Sequence, residues 1–232
     1  MGIFFIGKDI KFVKGILSSL YVYSSDIQRL VEKSLMTIGD QKIRMHSPLQ
    51  EMGRETIPQE SPSRPEEWSR LWEFDDIDAV MQSDAATLKT EAIVLDLEDL
   101  QDRAIRVEAL SRMSNLRLLI FRNVKFSGVL ENLSWQLEYI SWHQYPLTCL
   151  PSTFEPYCLM EVNLTDSCST SIWHDCGGGK VFWWLRKMSL SGSKDLTKRP
   201  NFSGFPSLER LDLEGCIKLS QLDASIADLS MA

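Results

Sequence analysis

Apolar residues in the second half of the chain recur in triplets with a fixed internal spacing, two variable positions and then one. The triplets are Leu116-Leu119-Phe121, Leu137-Ile140-Trp142, Leu159-Val162-Leu164, Leu185-Met188-Leu190 and Leu208-Leu211-Leu213. They follow one another at steps of 21, 22, 26 and 23 residues, and a weaker copy, Ala92-Leu95-Leu97, starts 24 residues before Leu116. Each triplet is too short for a helix and matches one short strand whose patterned residues face inward. One such unit cannot cover its own apolar face, so neighbours must stack into a continuous core with a curved, parallel sheet.

The 20–29-residue period and the L-x-x-L-x-L spacing are those of leucine-rich repeats. Cys216 stands at the position that prefers Asn or Cys, whereas the other copies carry Val124, Tyr145, Ser167 and Ser193, which predicts an irregular solenoid. The long step contains Gly177-Gly178-Gly179-Lys180. Val181 follows where a phosphate loop needs Ser or Thr, and the first Gly of that motif is missing, so a looped-out insertion is expected. Between the inward residues lie two outward rows. One reads Arg117, Glu138, Met160, Arg186, Glu209 and the next Leu118, Tyr139, Glu161, Lys187, Arg210. Opposite charges at 117/138, 161/187 and 186/209 predict cross-strand ion pairs. Leu118 and Tyr139 are expected to be exposed contact anchors, and Leu118, Tyr139, Glu161, Lys187 and Arg210 together form the expected binding face.

The first half changes period. Residues 9–20 and 26–33 have helical apolar spacing, with Ile10, Val13, Leu17 and then Ile27, Leu30, Val31, and Asp26 is the expected N-cap. Residues 34–45 read as a hairpin turning at Gly39-Asp40, and Ser47-Pro48 opens a helix to about Ile57. Helix, hairpin, helix is the build of a winged-helix fold. Such folds often bind DNA, yet Gln50, Glu51 and Glu55 deprive the last helix of phosphate-binding side chains. The expected organisation is an α/β chain: a winged-helix lobe at 1–58, a connecting segment at 59–91 broken by Ser61-Pro62-Ser63-Arg64-Pro65, and repeats at 92–232, incomplete at the C-terminus.

Composition narrows the function classes. Hydrophobic content of 44% and charge of 25% are those of an ordinary globular protein. No run approaches the ~18 apolar residues of a membrane span. Net charge is -7, with residues 1–58 at +2, 59–112 at -8 and 113–232 at -1. A basic face dense enough for nucleic acid is missing. Cys149, Cys158, Cys168, Cys176 and Cys216 are odd in number and spaced unlike zinc ligands, so reduced thiols are expected, with no metal.

Several stretches, weak singly and specific in this order, resemble the plant disease-resistance receptors built from TIR, NB-ARC and leucine-rich-repeat domains, of the tobacco mosaic virus resistance type. They are Leu30-Val31-Glu32-Lys33-Ser34-Leu35, Ile43-Arg44-Met45-His46, Leu49-Gln50-Glu51-Met52-Gly53-Arg54-Glu55 and Gln59-Glu60-Ser61-Pro62. They continue with Ser69-Arg70-Leu71-Trp72, Tyr145-Pro146-Leu147 with Leu150-Pro151, and Leu213-Glu214-Gly215-Cys216. The resemblance implies that residues 1–58 are the C-terminal winged-helix lobe of the NB-ARC switch. His46 then stands at the family's Met-His-Asp motif, whose His contacts bound ADP, although Ser47 replaces the acid. No phosphate loop accompanies it, so this chain is expected to hold no cofactor, with ADP or ATP implied only for a full-length member.

The resemblance implies a cytoplasmic or nuclear defence-signalling protein with protein partners (a pathogen effector, a host protein or other receptor chains) and no membrane or nucleic-acid target. It also implies no enzymatic activity, since NAD cleavage belongs to the TIR domain. The end at Ser230-Met231-Ala232, where another repeat would start, suggests a truncated member. An alternative is an extracellular repeat receptor, favoured by the sequons at Asn132, Asn163 and Asn201. An enzyme using His143 and Cys149 as base and nucleophile ranks last, for want of a third orienting group.

Overall fold

A computed structural model describes residues 5–7, 10–19, 24–83, 88–99, 102–171, 181–197 and 204–219. The Gly177–Lys180 insertion, Cys176, Asn201 and the segment after Leu219 lie outside them.

The N-terminal lobe runs α1 (Ile10–Ser19), α2 (Ser24–Glu32), β1 (Thr37–Gly39), β2 (Lys42–Arg44) and α3 (Ser47–Glu60). Ile10, Val13 and Leu17 bury one face of α1, and Ile27 does so for α2. β1 and β2 pair antiparallel, and Asp40 and Gln41 between them both take positive φ, 53° and 63°. This is the backbone that a tight two-residue hairpin turn requires. Asp26 lies within the first turn of α2 rather than capping it, where its charge still suits the helix N-terminus. His46 is the N-cap residue of α3, with Ser47 and Pro48 already helical.

Residues 59–91 do more than connect. Trp68 is buried, β3 (Arg70–Leu71) follows, and α4 (Phe74–Gln82) buries Ile77, Val80 and Met81 at i, i+3, i+4 spacing. β3 then joins the main sheet, so the sheet begins about twenty residues earlier than the triplets indicate. Its other strands are β4 (Ala92–Asp96), β6 (Leu118–Arg122), β8 (Tyr139–Trp142), β9 (Glu161–Asn163), β10 (Lys187–Ser189) and β11 (Arg210–Asp212). All neighbours are parallel, in the order β11-β10-β9-β8-β6-β4-β3. Thus the five triplet segments are adjacent parallel strands. A separate parallel pair joins β5 (Ala104–Arg106) to β7 (Lys125–Ser127).

Two apolar cores result. The larger lies under the sheet and stacks the triplet residues, with Leu116, Leu137, Leu164 and Leu190 fully buried. Leu211 is only partly buried, against the expectation from the pattern, because β11 is the outermost described strand and has a neighbour on one side. Residues eight places after the first leucine of a triplet brace the turns. Ser193 Oγ donates to the Leu164 carbonyl at 3.2 Å, and Cys216 Sγ donates to that of Leu190 at 3.2 Å. The Ser193 hydroxyl thereby ties one turn to the preceding strand, and Cys216 shares the Leu190 carbonyl with the Ser193 backbone N–H at 3.0 Å.

The smaller core corrects the reading of the outer row. Leu118 and Tyr139 are fully buried, together with Ala92 and Val94, against Phe5, Val13, Leu17, Ile27, Met36 and Ile43 of the lobe. They are therefore anchors for the lobe of the same chain, not exposed contacts. The physical cause is plain: α1, α2 and the hairpin carry more apolar surface than they can cover among themselves, and the apolar end of the sheet supplies the complement.

Candidate protein-recognition surface

Strand register places residues on the lobe-facing side of the sheet in two rows. The first is Ala92, Leu118, Tyr139, Glu161, Lys187 and Arg210, and the second is Val94, Ile120, Ser141, Asn163, Ser189 and Asp212. Because side chains alternate along a strand, positions one and three share a face. Both rows change character within one strand spacing. β4 and β6 present apolar residues that the lobe covers, whereas β9, β10 and β11 present charges, hydroxyls and an amide. β8 carries the boundary, with buried Tyr139 beside half-buried Ser141.

On the open side, Lys187 Nζ reaches Glu161 Oε2 at 3.4 Å, and both side chains are half-buried. Arg210 is exposed at the end of the row. Along the adjoining row Arg186 pairs with Glu209 at 3.4 Å. The third expected pair differs in environment: Arg117 Nε donates to Glu138 Oε1 at 2.7 Å, and Glu138 is buried. Burial pushes the Glu138 carboxyl above its ordinary value, and the Arg117 hydrogen bond opposes that rise. The other oxygen, Oε2, has no hydrogen-bond partner. Tyr139 is likewise pushed up by burial and by the charge of Glu161, so its phenol stays neutral under the lobe.

Where the strands end, a cleft of about 970 Å³ opens between the lobe and the sheet. Gln50 and Arg54 of α3 line one side, and Ser141, His143, Asn163 and Thr165 line the other. His143 Nδ1 lies 3.1 Å from Thr165 Oγ1 and 3.5 Å from Asp166. The partners its ring finds are these, not Cys149, whose carbonyl accepts from Tyr145 Oη. His46 is exposed at the start of α3, makes no capping hydrogen bond with its side chain, and does not line the cleft. Among the described residues no cluster of three or more His, Cys, Asp or Glu is placed to hold a metal ion. None of their helices is long and apolar enough to cross a membrane.

Residues 1–61 match the winged-helix domain of Roq1-like disease resistance proteins. The chain is 31% identical to disease resistance protein RUN1 of Vitis rotundifolia, over 97% of the chain and 19% of that protein. It is 32% identical to RPP2B of Arabidopsis thaliana over 94% of the chain and 19% of the relative. Identity to RML1A of the same plant is 32%, over 99% and 23%. This chain is a relative of the plant TIR-NB-LRR disease resistance proteins. It spans about a fifth of the length of the curated disease resistance proteins it matches, given shares of 19%, 19% and 23%.

On the sheet face the sequence pattern identified Glu161, Lys187 and Arg210 at open positions and misplaced Leu118 and Tyr139. It passed over Ser141, Asn163 and Ser189, and the α3 residues that close the cleft. The signal for the three strand residues was available: each stands two positions after a row residue, on the same side of its strand.

Proposed function

We propose that the chain is the junction of an intracellular immune receptor at which a winged-helix lobe meets the first leucine-rich repeats, and that it acts in defence by binding a protein. The observation that carries this reading is the change along the sheet face between Tyr139 and Glu161. The face is buried where the lobe needs it and remains open, polar and charged where the repeats continue. Its relatives' role as disease resistance proteins supports a pathogen effector or a host protein as the partner. The 21–26-residue steps between register-matched strands support a leucine-rich-repeat solenoid.

In this reading the 232 residues bind rather than catalyse, and they do so in the cytoplasm or nucleus. Their contribution to the ADP-dependent switch of a full-length receptor is structural. His46 brings one imidazole without a phosphate loop, so calorimetry on the chain with ADP or ATP and Mg²⁺ should show nothing tighter than about millimolar. A micromolar constant abolished by His46→Ala would overturn that statement.

The recognition reading is tested by co-precipitation of candidate effectors and host proteins with the chain and with a charge-reversed Lys187→Glu/Arg210→Glu form. A partner held by the first and released by the second is the expected result. Both forms should be folded, with thermal midpoints lowered by no more than a few degrees for the lost Glu161–Lys187 pair. A partner held equally by both would take the open face out of the account.

A further inference from the structure

Three consecutive turns leading into strands carry an aromatic residue two places before the first leucine of the triplet. These are Trp135 before Leu137, Tyr157 before Leu159 and Trp183 before Leu185. Their strands β8, β9 and β10 are neighbours, so equivalent turn positions succeed one another at roughly the 5 Å strand spacing. The rings lie on the rim where the chain enters the sheet, opposite the strand ends that border the cleft. All are open to solvent, at 51%, 63% and 64% exposure, with Trp184 beside them at 58% and Val181 at 39%.

The fold does not need rings there. The residues one place earlier, Ser134, Pro156 and Phe182, are the ones that turn inward and are buried. In the flanking repeats the same position holds Ser114 and Pro206, both exposed. Two indoles and a phenol at matched positions of consecutive units form an exposed row of the side chains that dominate binding energy at interfaces.

The surrounding charge narrows the partner. Tyr157 Oη donates to Glu155 Oε2 at 2.8 Å, and Thr153 Oγ1 ties the Glu131 backbone to the same loop at 2.5 Å. Neither Glu131 nor Glu155 has a cationic partner among the described residues. The nearby cations are engaged: Arg186 with Glu209, Arg117 with Glu138, and Arg112 with the Ser83 carbonyl. We propose that this acid-rimmed aromatic ridge is a second interaction surface that holds a basic segment of a partner protein. Arginine or lysine side chains of that segment lie over Trp135, Tyr157 and Trp183 and pair with Glu131 and Glu155. Guanidinium and ammonium groups are attracted to the faces of such rings, indole most strongly. This surface is independent of the open sheet face and does not rest on its role.

The test uses the full chain and a fluorescein-labelled acetyl-(Gly-Arg)6-amide peptide, followed by anisotropy at 0.15 M salt. Saturable binding is expected, weakened at least about tenfold by Trp135→Ala/Tyr157→Ala/Trp183→Ala, the sum of three exposed cation–π contacts. Glu131→Gln/Glu155→Gln should weaken it about threefold and reduce its salt dependence. The charge-matched Glu98→Gln/Glu214→Gln should leave it unchanged. In the unaltered protein the peptide should shift the indole N–H signals of Trp135 and Trp183 and leave that of buried Trp142 in place, a readout independent of how any variant folds. The proposal is overturned by three results. One is absence of binding. Another is binding that the ring substitutions and the Glu98/Glu214 control alter equally, which would mean diffuse attraction to the net charge of -7. The last is a concentration-dependent dimer that the ring substitutions abolish while peptide binding persists, which would assign the ridge to a second copy.

Discussion

β6 toward one end of the sheet and β9 and β10 toward the other have the same backbone, the same register and the same triplet pointing into the same core. β4 aligns Ile93 and Leu95 with Leu119 and Phe121, so the weaker copy Ala92-Leu95-Leu97 is two residues out of step and its Ala92 faces the lobe. The outward residues of the two ends differ completely. Val94, Leu118 and Ile120 meet the lobe, whereas Glu161, Asn163, Lys187 and Ser189 meet solvent or one another. In this scaffold the inward residues decide the fold, and the outward residues decide whether a strand serves the chain's own architecture or is free to meet a partner. Tyr139 and Glu161, adjacent in register, stand on either side of that division.

The largest effect that sharpens this contrast should come from Tyr139→Ala. It removes a fully buried ring shared by lobe and sheet, and should cost about 3–5 kcal/mol in urea unfolding, as for other buried aromatics. Lys187→Ala in the same row should change stability by no more than about 0.5 kcal/mol. Equal losses would erase the distinction between the two ends. Leu164→Ala, in the core beneath the open end, should cost about 2–5 kcal/mol, and Leu211→Ala on the outermost described strand less than about 2.

The inward pattern was legible in the chain because the triplets repeat, and repetition exposes a register that one strand alone conceals. The division of the outward face was not. Leu118 and Tyr139 look like exposed anchors until the unmatched apolar faces of α1, α2 and the hairpin are set against them. A pattern read one element at a time does not say which two surplus faces will meet. The segment around Leu71 and Ile77 was hidden differently: β3 has two residues, too few to show a period, and the prolines at 62 and 65 mask the strand and helix that follow.

Ion pairs offer a finer version of the contrast. Arg117→Ala strands a buried carboxylate and should cost about 1.5–3 kcal/mol near neutral pH, in the range for hydrogen bonds to charged groups. Because burial holds the Glu138 carboxyl above its ordinary value, the folded state binds that proton more tightly than the unfolded chain. Its contribution is therefore fully present below the ordinary carboxyl value of 4.5 and is lost as pH rises from there through the raised folded value. Glu138→Gln should remove that slope from a series of unfolding curves taken across the acid range. The smallest effect belongs to the open pair: a double-mutant cycle on Glu161 and Lys187 should give about 0.2–1 kcal/mol and shrink with added salt.

The division of the sheet face is tested most directly by hydroxyl-radical footprinting of two tyrosines in the same molecule. Tyr139 lies under the lobe at 0% exposure and Tyr157 lies on the rim at 63%, so intrinsic reactivity cancels in the ratio of their labelling rates. The account predicts rapid labelling of Tyr157 and protection of Tyr139 that persists until the chain unfolds. Comparable rates for the two in the folded chain would show that the lobe does not cover the sheet, and would return Tyr139 to the set of exposed contact residues.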